Sequence, residues 1–202
     1  MERGERGVFD FLYYFILAAA VIFIAAGLPA CGKGLPTGPS KTETISAGSD
    51  PALRAVKQYN ANHAGGRVTR WDRATVGVYD AVGVPNFQGI LNDWNNALGG
   101  KLVLVAGPAG SPIEIVGDSA LAYCGLATYQ VEEGRMESVR ITIRCNREQT
   151  AKHELGHAVG FLAHASDGGV MTNPSSSDVI TDLYVMTLRR LYDLAPGTII
   201  TD

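Results

Sequence analysis

Positive charge is not in surplus in this 202-residue sequence: 17 Lys and Arg stand against 20 Asp and Glu, for a net charge of −3. Nucleic-acid binding rests on clustered cations that neutralise phosphates, so nothing here points to that class of partner. The densest cationic stretch, Arg140, Arg144 and Arg147, alternates with Val139, Ile141 and Ile143 and reads as the solvated side of a strand. Cysteine and histidine are scarce, at three and four. No glutamate occurs after Glu154, and no internal repeat is visible. With 46% hydrophobic residues, the composition excludes a disordered chain and suits one globular domain with an appendage.

Charge is also missing from Phe11 to Cys31, where FILAAAVIFIAA (Phe15 to Ala26) is almost wholly apolar. The run closes on LPACG, Leu28 to Gly32. A small residue before a cysteine, with leucine three residues before it, resembles the lipobox of bacterial lipoproteins. That resemblance implies a lipidated Cys31 at the mature N-terminus. An uncleaved signal anchor is the alternative, because the run is close to the minimum length of a membrane span. Both readings tether residues 32–202 to a membrane, on the extracytoplasmic face of a cell envelope. Residues 32–50, rich in Gly, Pro, Ser and Thr, read as a flexible linker, and 51–202 as one domain. Outside the cytoplasm, Cys124 and Cys145 are candidates for a disulfide. A hairpin turning at Gly134-Arg135 would set them opposite each other; free buried thiols are the alternative.

Within the domain, Asp50-Pro51 marks a helix start, with Leu53, Val56 and Tyr59 at helical spacing and Gly65-Gly66 as the stop. Residues 74–82 read as a strand. Residues 84–100 carry Phe87, Ile90, Leu91, Trp94 and Leu98 on one helical face. Short strands are expected at 101–105 and 113–116, a hairpin from 121–131 and 137–144, and a last helix near 180–193. The expected fold class is α+β: a mixed, mostly parallel twisted sheet, two large helices packed on it, and a C-terminal helix.

The chemistry concentrates in HELGHAVGFLAH, His153 to His164. Asn146 and Gln149 form a capping-box pattern that starts a helix near Arg147. His153 and His157 are then one turn apart on one face and can share a metal ion. Glu154 flanks the ion without ligating it, as a general base acting on bound water would. Gly160 can take the left-handed conformation that ends the helix. With no downstream glutamate, and His63 lying before the first core strand, His164 is the best third ligand and Asp167 the runner-up. Tyr184, Tyr192, Trp71 and Trp94 read as core packing rather than substrate contacts.

His153, Glu154, His157 and Gly160 match HExxHxxGxxH, and GGVMTNP (168–174) resembles a Met-containing turn. In these features the chain resembles the metzincins, within them the matrixin-like zinc metallopeptidases. The looser likeness extends over most of 67–197. It departs where Ala163 occupies the usual third-histidine position and His164 follows it. The resemblance implies one catalytic Zn2+ on His153, His157 and His164, and Met171 beneath the metal without binding it. With Asn173 two residues after Met171, the tyrosine ligand of some metzincins is absent. No calcium site is assigned. It also implies an edge strand at 121–131 that pairs with an extended peptide, and a pocket lined by 172–174. The expected function is hydrolysis of peptide bonds in protein or peptide substrates by a monomeric, membrane-tethered zinc endopeptidase. Two other readings stay open: a zinc-binding but inactive binding module, and a structural envelope protein whose HExxH is accidental. Glu154 favours the active enzyme over the binding module, since a non-catalytic zinc site needs no carboxylate there.

Overall fold

The structure, a computed structural model, describes residues 42–173 and 177–202. The anchor segment 1–31 with Cys31, the linker up to residue 41, and Pro174 lie outside the described residues. Strand β1 (Thr44–Ser46) comes first, then helix α1 (Pro51–Tyr59), strand β2 (Thr75–Asp80), helix α2 (Phe87–Leu98), and strands β3 (Val103–Ala106) and β4 (Ile113–Gly117). The hairpin β5 (Gly125–Glu132) and β6 (Arg135–Ile143) leads into α3 (Glu148–Ala158), then α4 (Asp182–Leu191) and β7 (Ile199–Thr201).

The main sheet has the order β3-β2-β4-β6-β5. All its pairings are parallel except that of β5 with β6. The architecture is therefore α+β with a mostly parallel mixed sheet and, among the described residues, four α-helices. Alternation decides which face is covered: Val76, Val78, Ile113, Ile115, Val139, Ile141 and Ile143 are buried. Helices α2 and α3 pack on the sheet and on each other, while α1 and α4 pair. Arg140 is exposed, as the solvated side of β6 requires.

Several element ends differ from the sequence reading, each for a local reason. The linker expected over 32–50 is too long: β1 lies inside it and pairs in parallel with β7. Two three-residue strands carry no readable alternation, and they are held by their main-chain ladder, by buried Ile200 and by the Thr201 Oγ1 bond to Ile45 O. Asp50 caps α1 through Ala52 N at 2.9 Å and Leu53 N at 3.2 Å. That helix stops at Tyr59, short of Gly65-Gly66, because Asn60 turns its side chain across the core. Its amide donates to Thr69 O and Gly160 O, each at 2.7 Å, and its carbonyl accepts from Thr69 N at 2.8 Å. β2 ends at Asp80, whose carboxylate gathers the amides of Val82, Gly83 and Val84.

The expected hairpin turn at Gly134-Arg135 is displaced. Glu132 pairs with Arg135, and the turn is Glu133-Gly134, both at positive φ (49° and 82°). Two left-handed residues in a row fit the right-handed twist of the flanking strands. A bulge between Gln130 and Val131 shifts the register by one residue, so that Val131 pairs with Met136 but Gln130 with Ser138. Cys124 and Cys145 lie just beyond the ladder, where Arg144 N and Cys145 N both donate to Cys124 O, and a disulfide joins them. The capping box does not form either. Arg147 is the N-cap without a side-chain bond, and Asn146 instead donates to Val82 O and Gly83 O.

Candidate metal centre

Both tryptophans are buried and hold α3 by its carbonyls. Trp94 Nε1 donates to Lys152 O at 3.0 Å, and Trp71 Nε1 donates to Ala158 O at 2.8 Å. The helix that carries the histidines is thus pinned near its middle and at its end. The Lys152 ammonium, nearly buried, meets Asp93 at 2.6 Å.

His153 and His157 lie one turn apart on α3 with ring centroids 4.9 Å apart. His164 is 5.1 Å from each. One nitrogen from each of the three rings falls within 4.8 Å of the others, so the three histidines lie close enough to hold a metal ion. Their orientation is set from behind. His153 Nδ1 lies 2.6 Å from Val170 O, and His157 Nδ1 lies 2.7 Å from Phe161 O. A carbonyl only accepts, so each Nδ1 carries the proton and each Nε2 presents its lone pair to the shared space. His153 Nε2 and His164 Nε2 are 3.2 Å apart.

Burial disfavours the imidazolium form at all three. It lowers the His157 pKa to about 3, with His153 adding to the effect, and it also lowers those of His153 and His164. Neutral rings are what a metal requires of histidine. His63 is not part of the cluster, although its charge contributes to lowering His157 and His164.

The path from α3 to His164 is packed rather than slack. Gly160 has φ 108°, and a Cβ there would stand 2.6 Å from Leu191 Cδ2. Phe161, Leu162 and Ala163 are buried. Phe161 stacks on Tyr59 at 4.7 Å and meets the edge of Tyr184 at 4.9 Å. Leu162 N donates to Tyr59 O at 2.8 Å. The extra residue before His164 is absorbed in this buried turn.

Asp167, the second candidate ligand, is engaged elsewhere. Its carboxylate accepts from Thr181 Oγ1 at 2.6 Å, from Gly169 N at 3.1 Å and from the Tyr184 hydroxyl. Burial pushes this carboxyl upward, but those bonds outweigh it and hold the pKa below the usual value. Asp167 ties the loop after His164 to α4, and the metal-sized cluster does not include it. Tyr184 and Tyr192 serve packing: the Tyr192 hydroxyl donates to Val159 O at 3.1 Å.

Met171 is fully buried beneath α3. Gly156 makes that contact possible, since a Cβ there would overlap Met171 Sδ and stand 2.8 Å from Trp94 Cζ2. Glu154 sits beside the histidines without belonging to their cluster. Burial raises its pKa to about 7, against the lowering effect of a backbone bond at Ala127. A Cβ on Gly125 of β5 would stand 2.6 Å from Glu154 Oε1 and 2.7 Å from Cγ. Gly125 thus makes the room that the carboxylate occupies.

The histidines and Glu154 line a cleft of about 650 Å³. One wall is β5 from Gly125 to Tyr129, the outermost strand of its sheet; Leu162, His164 and Asn173 contribute to the lining, as does Cys124. Gly125, Gly156 and Asn60 escaped the sequence reading. A glycine within a strand is a recognised sign of close approach, and that sign was present at Gly125. Nothing in the sequence marks Asn60, whose partners lie 9 and 100 residues away. Compared with known proteins, the chain matches no family model and no curated protein.

Proposed function

We propose that this chain is a zinc-dependent endopeptidase of the metzincin kind, tethered on the extracytoplasmic side of a membrane by its N-terminal segment. The observation that carries this reading is three inward-facing Nε2 atoms beside a buried carboxylate, in a cleft walled by an outermost strand. Three neutral imidazoles with an open fourth position suit Zn2+, and the cleft offers no free thiolate because Cys124 is in a disulfide. The α+β fold, the buried Met171 and the HExxH spacing agree with the family resemblance. The apolar run ending in LPACG supports the tether.

Zinc, when bound, supplies acidity to a coordinated water and polarises the scissile carbonyl. The protein groups do the remaining work. Val170 O and Phe161 O hold two histidines in the ligating tautomer. Glu154 takes a proton from the attacking water and returns it to the leaving amine. Its position beside the histidines, in the room that Gly125 leaves, suits both transfers. The free edge of β5 pairs with an extended peptide and lays the scissile bond over the histidines.

The test uses the full chain, purified with zinc, against a broad peptide library, with Glu154→Ala as control. Cleavage that falls about 10²- to 10⁴-fold in the variant is expected. One equivalent of bound zinc with no Glu154-dependent cleavage would favour a non-catalytic binding module instead.

A further inference from the structure

Tetrahedral intermediates of acyl transfer are stabilised by a donor aimed at the developing oxyanion. We propose that Tyr129 is a second catalytic side chain, whose phenol O–H donates to the oxyanion formed from the scissile carbonyl. This inference rests on the hydrolytic reading above.

The placement follows from β5. Gly125, Ala127 and Tyr129 are alternate residues ahead of the bulge between Gln130 and Val131, so they face one side. That side is the one on which Gly125 abuts Glu154. The first two residues of the series are the smallest available, and the third is large and ends in a hydroxyl. Tyr129 lines the cleft together with His153, Glu154, His157 and His164. The hydroxyls of Tyr184 and Tyr192 are committed elsewhere, to Asp167 and to Val159 O. Among the described residues the Tyr129 hydroxyl has no hydrogen-bond partner, and the ring is 39% exposed to the cleft and solvent. Burial, and secondarily the charge of Glu154, raise its pKa, so the donor stays protonated.

Water gives one proton to Glu154 and its oxygen bonds to the carbonyl carbon; the carbonyl π pair moves onto oxygen, which accepts the Tyr129 hydrogen bond. Glu154 passes the proton to nitrogen and the C–N bond breaks with its pair on nitrogen. The oxyanion pair re-forms C=O, leaving a carboxylic acid and an amine. Tyr129 keeps its proton throughout.

The experiment compares Tyr129→Phe with the unaltered full chain, both zinc-loaded. Steady-state kinetics are run beside calorimetric affinities for a phosphinic peptide, which mimics the tetrahedral state, and for a product peptide. The expected result is a kcat lower by about 10²-fold with KM within about two-fold. The phosphinic peptide should lose affinity by a similar factor, while the product peptide and the zinc content are unchanged. Among the described residues the hydroxyl has no partner whose loss would disturb the fold, and the thermal midpoint serves as the check. An unchanged kcat, or a change in KM alone, would overturn the proposal; the latter would make Tyr129 an aromatic wall for substrate side chains. Absence of Glu154-dependent cleavage in the unaltered chain would overturn both this inference and the hydrolytic reading. Cleavage that depends on Glu154 but not on Tyr129 would overturn this inference alone.

Discussion

Adding one methyl group to Gly125 isolates the role of Glu154 more cleanly than removing the carboxylate does. In Gly125→Ala the new Cβ would stand 2.6, 2.7 and 2.9 Å from Oε1, Cγ and Cδ of Glu154. All three atoms belong to Glu154, so the whole side chain must retreat by roughly half an ångström or more to reach ordinary contact distance. Misplacing a reacting group by about 1 Å costs on the order of 10²-fold, which sets the expected loss in kcat/KM at about 10- to 10²-fold. As a barrier this is about 1.4 to 2.7 kcal/mol. No histidine is touched, so zinc should stay at one equivalent. Folding should not suffer, because alanine recovers about 0.5–1 kcal/mol of the entropy that a strand glycine forfeits. The assay is kcat/KM on one fluorogenic peptide beside metal analysis and thermal unfolding. Full activity in this variant would refute the placement of Glu154 as the base, and loss of zinc would show that the methyl acts on the ligands instead.

His164→Ala should lose zinc, whereas Asp167→Ala should retain it and lose about 1–3 kcal/mol of stability, because the buried Tyr184 hydroxyl is left without its acceptor; metal analysis and urea unfolding separate the two, and the reverse pattern would move the ligand role to Asp167. Asn60→Ala strips partners from Thr69 and Gly160 at once, so a loss of about 2–4 kcal/mol together with weaker zinc binding is expected, and a neutral result would contradict the buried bridge. In the metal-free protein, His157 resists protonation down to about pH 3 while its unfolded counterpart binds a proton near 6.5, so its contribution to stability is lost as pH falls from about 6.5 toward 3, with His153 and His164 acting in the same direction. Glu154 opposes this between about pH 7 and 4.5, because its raised pKa lets the folded state hold the extra proton; urea midpoints should therefore fall on acidification, and more steeply in Glu154→Gln, while a flat profile in that variant would be contrary.

The histidine cluster was legible because it is local. One turn of helix separates His153 from His157, and a glycine that breaks the helix is readable at Gly160. The disulfide partners were also correctly paired as candidates, although the turn that brings them together was misplaced by one residue. Glu133 adopts a positive φ that its residue type does not advertise, and the bulge at Gln130/Val131 then shifts the register by one residue. The capping box at Asn146 failed for a different reason: its amide is taken by the carbonyls after β2, more than sixty residues back. The same long reach hides Asn60, and three-residue strands such as β1 and β7 leave no pattern at all. What the sequence reading placed well depends on helical period; what it missed depends on side chains that meet across the sheet.

Zinc K-edge absorption on the purified full chain tests the central claim most directly. One zinc per chain is predicted, with three histidine nitrogens at about 2.0–2.1 Å and one light-atom ligand from water. His164→Ala should reduce the histidine count or abolish binding. A metal-free protein at micromolar zinc, or a first coordination sphere with carboxylate in place of the third histidine, would contradict the account.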